Sequence, residues 1–126
     1  MDTRTKIITL DKAVEIATAQ RTRAVTGYFD PLLAAHAGRL YEIRSAEPPM
    51  PLLVVILDPP SPVLGARARA ELVSALAVVD YVIILDSAGG EEALSRIPAV
   101  EVLREEDADR VRTQALAEHV HRRHQL

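Results

Sequence analysis

The stretch LLVVILDPPSPVLGARARAELVSALAVVDYVIIL, residues 52–85, decides the fold. It opens on Leu52–Leu57, an unbroken apolar run, and closes on Tyr81–Leu85 with Val79 just before it. A strand with one wet face alternates between apolar and polar residues, whereas a strand covered on both faces is apolar throughout. Both runs therefore predict buried strands of a parallel sheet. Between them, DPPSPVLG is a rigid loop and Ala66–Ala77 a helix, with Ala68, Leu72, Ala75 and Leu76 turned inward.

The flanks extend this pattern. Ile7–Gln20 has apolar residues at helical spacing, and Thr22–Thr26 is a short, partly β-branched strand ended by Gly27. GYFDP then makes a turn. Asp30 followed by Pro31 predicts an N-cap and a first helical residue. That helix runs to Ile43 or Arg44, with Leu33, Ala37, Leu40 and Tyr41 near one face. The Pro-rich SAEPPMP (45–51) separates it from the central stretch. Downstream, Asp86, Ser87 and Gly89–Gly90 end the third strand. Glu91–Arg96 is a short helix, Ala99–Leu103 a fourth strand and Asp107–Arg123 a final helix. Alternating helix and strand predicts one α/β domain over residues 1–126. Its expected architecture is a Rossmann-like, doubly wound parallel sheet of four to five strands with helices on both faces. Ligands of such sheets bind outside the carboxyl ends of the strands, where the strand order reverses. The segments that matter for function are therefore 27–31, 58–65, 86–90 and 104–107.

Composition narrows the function. The 126 residues carry a net charge of −3, which argues against a dedicated nucleic-acid binder. Cysteine is absent, which excludes disulfides, thiolate metal sites and cysteine nucleophiles. The apolar runs fall far short of the ~20 residues of a membrane span, and no charged-then-apolar leader opens the chain. The expectation is a cytoplasmic protein that meets neither membrane nor nucleic acid. His121 and His124 share a helix face at i, i+3 but have no third ligand of suitable spacing, so no metal site is expected. The acidic run Glu105, Glu106, Asp107 and Asp109 reads as charge at a helix N-terminus, where it complements the helix dipole.

The chemistry concentrates in TGYFDPLLAAHA, residues 26–37. Gly27 permits a sharp turn or a close ligand approach. The helix that follows points its first N–H groups at the strand ends, an arrangement that attracts phosphate. His36 lies in its second turn, within reach of a phosphate held near the helix start. Arg67 and Arg69 begin the next helix and either line the same anion pocket or form a solvated face.

Residues 27–36 resemble the G-x-F-D-x-x-H-x-G-H signature of the cytidylyltransferase-like nucleotidyltransferases. That family includes glycerol-3-phosphate cytidylyltransferase and the nucleotidyl domain of heptose-phosphate synthases. Gly27, Phe29, Asp30 and the second histidine, His36, are kept; Leu33 stands at the first histidine and Ala35 at the glycine. RAELVSALAVVDYVIILD, residues 69–86, resembles a second family stretch, R-A-E-(L/V/I)-(L/V)-x-A-L-x-x-V-D-Y-V. The opening KIITLDKAVEIATAQRTRAVTG resembles the helix before the first strand in the heptose-type domains. Together these matches cover most of residues 6–97.

The resemblance implies joining a nucleoside triphosphate, CTP or ATP with magnesium, to a sugar or alcohol phosphate with release of pyrophosphate. It also implies nucleotide contacts from Gly27, Tyr28, Phe29, Asp30 and His36, and a homodimer. Candidate exposed contacts for a dimer are Tyr41 and the segment 48–51. Several phosphate-handling groups of the family are missing. The Leu33 side chain donates no hydrogen bond, and one lost donor costs about 10²–10³-fold in rate. Ala35 adds a methyl where a nucleotide would approach. The loop 58–65 contains no lysine; the chain's only lysines are Lys6 and Lys12. EEDADRVRTQ (105–114) is acidic where the family has Ser and Thr, with Thr113 its only hydroxyl. Three readings stay open. One is a degenerate domain that binds a nucleotide or phosphate with weak or no catalysis. Another is an active enzyme with His36 catalytic and Arg67, Arg69 and Arg104 replacing the missing groups. The third is a non-catalytic protein-interaction domain.

Overall fold

The computed structural model describes residues 2–85 and 89–124, the last four by backbone alone. The expectations for Asp86 and Ser87, and for the His121–His124 pair, lie outside the described residues and side chains. In chain order the elements are α1 (Leu10–Ala19), β1 (Arg23–Gly27), α2 (Ala34–Ser45), β2 (Leu52–Leu57), α3 (Ala66–Ser74), β3 (Tyr81–Leu85), α4 (Gly90–Ser95), β4 (Glu101–Arg104) and α5 (Glu106–His124). A 3₁₀ turn, Thr3–Lys6, precedes them.

The four strands form one all-parallel sheet in the order β3-β2-β1-β4. This is the doubly wound α/β architecture the sequence predicts. The order reverses between β1 and β4, so the switch-point crevice opens there, above Gly27 and Arg104. β2 occupies a central position and is buried along its whole length, as its unbroken apolar run requires. Its side chains divide between two cores. Leu52, Val54 and Ile56 pack with Val25, Leu40, Ile43, Ala70 and Val73, beneath α2 and α3. Leu53, Val55 and Leu57 pack with Ala13, Ala17, Ile83, Leu94 and Ile97, beneath α1 and α4. Each buried Val, Leu or Ile side chain among these contributes about 1.5–3 kcal/mol.

Several local expectations are corrected. The first helix starts at Leu10 rather than Ile7, because Thr9 caps it by accepting the Lys12 N–H at 3.2 Å. Ile7 instead pairs in parallel with Val82, and the Ile8 N–H donates to Val82 O at 2.8 Å. This short contact covers the outer edge of β3. The second helix starts at Ala34, with Leu33 as its N-cap; Asp30 and Pro31 lie in the preceding loop. Asp30 is not a helix cap, because its carboxylate is taken by a different loop. Tyr41 is 63% exposed and Ile43 takes the inward place beside Leu40. α3 ends at Ser74 and buries Arg69, Ala70, Val73 and Ser74, leaving Ala68, Leu72 and Ala75 exposed. Its inward face is thus turned by one residue, about 100°, to bring an arginine inside. Of the candidate dimer contacts, Tyr41, Pro48 and Pro49 are exposed, whereas Met50 is buried. Among the described residues no helix is long and apolar enough to cross a membrane.

Candidate functional site

β1 ends at Gly27, and the chain immediately turns. Phe29 adopts a left-handed backbone, φ 49°, which costs a bulky residue of order 1–2 kcal/mol. Its ring is buried in the α2/α3 core and tilts against the His36 ring, with centroids 5.5 Å apart. Core packing thereby holds the turn. The turn aims two successive amides at one point: the Tyr28 N–H donates to Asp109 Oδ2 at 2.8 Å, and the Phe29 N–H reaches the same oxygen at 3.5 Å. Paired N–H groups of this kind form an anion-binding concavity.

Asp109 comes from the first turns of α5 and is 2% exposed. Gly27 permits its approach, since a Cβ there would stand 2.5 Å from Asp109 Oδ2 and 2.7 Å from the Phe29 ring. Oδ1 faces two further donors. Arg112 Nη1 donates to it at 3.0 Å, and His36 Nε2 lies 2.8 Å away. His36 is itself 1% exposed, and its Nδ1 accepts the Leu33 N–H at 2.8 Å. This is one half of a capping box; Leu33 has no acceptor to return the bond. Because Nδ1 accepts, the hydrogen bond assigns the ring proton to Nε2, facing Asp109. That contact is close but bent, so Nε2 makes no directed hydrogen bond despite its burial.

The side-chain oxygens of Asp109 therefore sit in a cradle of donors from the turn after β1, from α2 and from α5 itself, at the switch point. Around it, Arg39 Nε donates to Glu105 Oε1 at 3.0 Å, and Thr26 Oγ1 bonds Glu106. The hydrogen bond to Glu105, and a weaker one to Glu42, raise the Arg39 pKa further. Arg104 donates to Glu91 at 2.5 and 2.9 Å and to Glu106 at 3.1 Å. Its hydrogen bonds hold the Glu91 carboxyl below the ordinary glutamate range.

The other predicted residues serve the neighbouring loop. The Asp30 carboxylate accepts the Val63 N–H at 2.6 Å and the Leu64 N–H at 2.8 Å. Arg69 is wholly buried. It donates to Leu64 O at 3.0 Å, Tyr28 O at 3.0 Å and Leu57 O at 2.7 Å, and pairs with Asp58. Asp30 and Arg69 thus fasten the loop 58–64 against the end of β1. Arg67 stands apart, exposed on α3 and paired with Glu71 at 3.3 Å. The structure brings together Gly27, Tyr28, Phe29 and His36, joins Asp30 and Arg69 to them through the Tyr28–Leu64 region, and leaves Arg67 outside.

Sequence reasoning missed Asp109 and Arg112. Asp109 looks like one more acid at a helix start, and the Arg112 one turn later does not separate it, since Asp107 has Arg110 at the same spacing. Among the described residues no group of three or more His, Asp or Glu side chains is placed to hold a metal. No protein-family model matches the chain, and no curated protein does.

Proposed function

We propose that this chain is a degenerate cytidylyltransferase-like domain that binds a nucleotide or another phosphate-bearing ligand at the β1/β4 switch point and carries out little or no transfer. One observation carries the reading: the Tyr28 and Phe29 N–H groups, the His36 imidazole and Arg112 converge on a single anion, the Asp109 carboxylate. Such a donor set suits a phosphoryl group as well as a carboxylate.

Weak or no turnover is expected from where the other groups are spent. Arg69 gives its donors to three main-chain oxygens and Asp58, and the Asp30 carboxylate is occupied by two loop amides. Leu33 offers nothing to a phosphate. The cradle consists of N–H donors and does not fit a metal ion, so magnesium would enter only as a partner of a triphosphate. Thermal unfolding with CTP or ATP at millimolar concentration, with and without magnesium, tests the reading. A ligand at a hundredfold excess over Kd stabilises the native state by about 2.7 kcal/mol. The expected result is a shift with at least one triphosphate and no pyrophosphate release. Sustained pyrophosphate release that disappears in His36→Ala would establish an active enzyme instead.

The α5 surface favours a second reading, a protein-interaction domain. From Gln114 to Val120 every residue of α5 is exposed, and Val111, Leu116 and Val120 are apolar. No stabilisation by either triphosphate, together with concentration-dependent self-association, would decide for it.

A further inference from the structure

Asp109 does more than complete a helix start. Its carboxylate occupies the same donors that a bound anion would use. It is delivered by an element with little other hold on the molecule: among the described side chains of α5, none belongs to either apolar core. The start of α5 is fastened by polar contacts instead, Thr26 to Glu106, Tyr28 to Asp109 and Arg104 to Glu106. The fit of the carboxylate is also incomplete. His36 Nε2, fully buried and 2.8 Å from Oδ1, makes no directed hydrogen bond to it. A carboxylate carried on a helix has two oxygens in one plane; a phosphoryl group presents three oxygens in three directions.

We propose that α5 is a displaceable plug: the Asp109 carboxylate closes the switch-point cradle, and a phosphoryl-bearing ligand takes the Tyr28 and Phe29 amides and His36 Nε2 from it, releasing the start of α5. This rests on the reading of the cradle as an anion site. Arg112 leaves with the helix. Arg39 sits three residues after His36 on α2; release of α5 would part its Nε from Glu105, while its Nη1 keeps Glu42 on the same helix. The plug makes the apparent affinity of the native chain lower than that of the open cradle, by the fraction of molecules in which α5 is released.

The test uses inorganic pyrophosphate as the probe, with calorimetric titration and amide hydrogen exchange on the full chain. Asp109→Ala opens the cradle, and Asp109→Asn keeps the side-chain shape while removing its charge. The expected result is pyrophosphate binding roughly tenfold or more tighter in both variants, as for a site closed in nine-tenths of the native molecules. In the unmodified chain, pyrophosphate should deprotect the amides of residues 106–113. Should Asp109→Ala fail to fold, Asp109→Asn and the exchange experiment on the unmodified chain still decide the matter. Equal affinity in all three chains, with no change in α5 exchange, overturns the plug and leaves the anion site standing. No binding to any of them overturns both.

Discussion

Gly27 and Arg69 are single positions on which the switch point depends, and each has a measurable consequence. Gly27 is required by close approach rather than by an unusual backbone angle. An alanine methyl there meets the Asp109 carboxylate at 2.5 Å and the Phe29 ring at 2.7 and 2.9 Å. The Phe29 ring is held in the core and the Asp109 carboxylate by its donors, so the methyl fits only if the ring shifts or the start of α5 is released. Gly27→Ala should cost about 1–3 kcal/mol, the usual range for overpacking, seen as a lower urea midpoint. A change within ~0.5 kcal/mol, the ordinary surface range, would mean that α5 shifts freely and does not hold the cradle. Arg69 acts through its fork of donors. Arg69→Met leaves the carbonyls of Tyr28, Leu57 and Leu64 without their buried partner, and breaking such a network costs about 3–5 kcal/mol. Arg69→Lys should recover only part of this, because an ammonium is a point charge and cannot span three carbonyls and a carboxylate. Full recovery by lysine, read from the same urea curves, would show that charge alone is what the site needs.

Among the elements, the strands were legible in the sequence and the inner faces of the helices were not. β2 and β3 are read from sequence to the residue by their unbroken apolar runs, but only β2 is buried throughout; β3 is an edge strand that buries Val82 and Ile83 and leaves its other residues half-buried. β1 and β4 are displaced by one or two residues, because their ends are set by pairing with β2 and with each other rather than by composition. α2 and α3 were misread for one shared reason. Each turns a polar side chain inward, His36 in one and Arg69 in the other, and a face chosen by counting apolar residues leaves such positions out. The site is half legible on the same grounds. Gly27, Phe29 and His36 lie in one short segment. Asp109 is supplied from some 80 residues away, and its burial is a property of the folded molecule. At the same scale lies the clasp between α4 and the end of β4. The hydrogen bonds from Arg104 hold the Glu91 carboxyl below its ordinary pKa of 4.5. A carboxyl whose pKa is depressed on folding stabilises the fold above its unfolded value and loses that contribution as pH falls through the folded one. The clasp should therefore weaken below about pH 4.5. Glu91 is largely exposed, so the contribution is small and screened by salt. Acid unfolding of Arg104→Gln should show a shallower low-pH limb than the native chain. The difference should vanish at about 1 M salt, where the Debye length is ~3 Å. A difference undiminished by high salt would mean that the exposed Glu91–Arg104 pair is not its origin.

Across the whole molecule, the two cores and the polar clasp divide stability unevenly. β1, β2 and β3 carry the apolar residues that both cores share, and β1 and β2 are buried throughout. β4 lies at the sheet edge with Glu101, Val102 and Arg104 exposed, and the described side chains of α5 add polar contacts but no core residue. Local opening is cheapest where few apolar contacts break and backbone bonds already face water. Native-state hydrogen exchange should therefore resolve two tiers. The amides of Val25, Val54 and Val82 should exchange only through global unfolding, with a denaturant dependence equal to that of the equilibrium transition. Those of Val102, Leu103 and the first turns of α5 should exchange through a smaller opening that leaves β1–β3 intact. Asp109→Asn should speed the second tier and leave the first unchanged, because its carboxylate ties α5 to the end of β1 without entering either core. Uniform protection across all four strands would mean that the edge and the clasp fold as one unit with the centre. In that case a ligand arriving at the switch point would have to work against the stability of the whole sheet rather than against one helix.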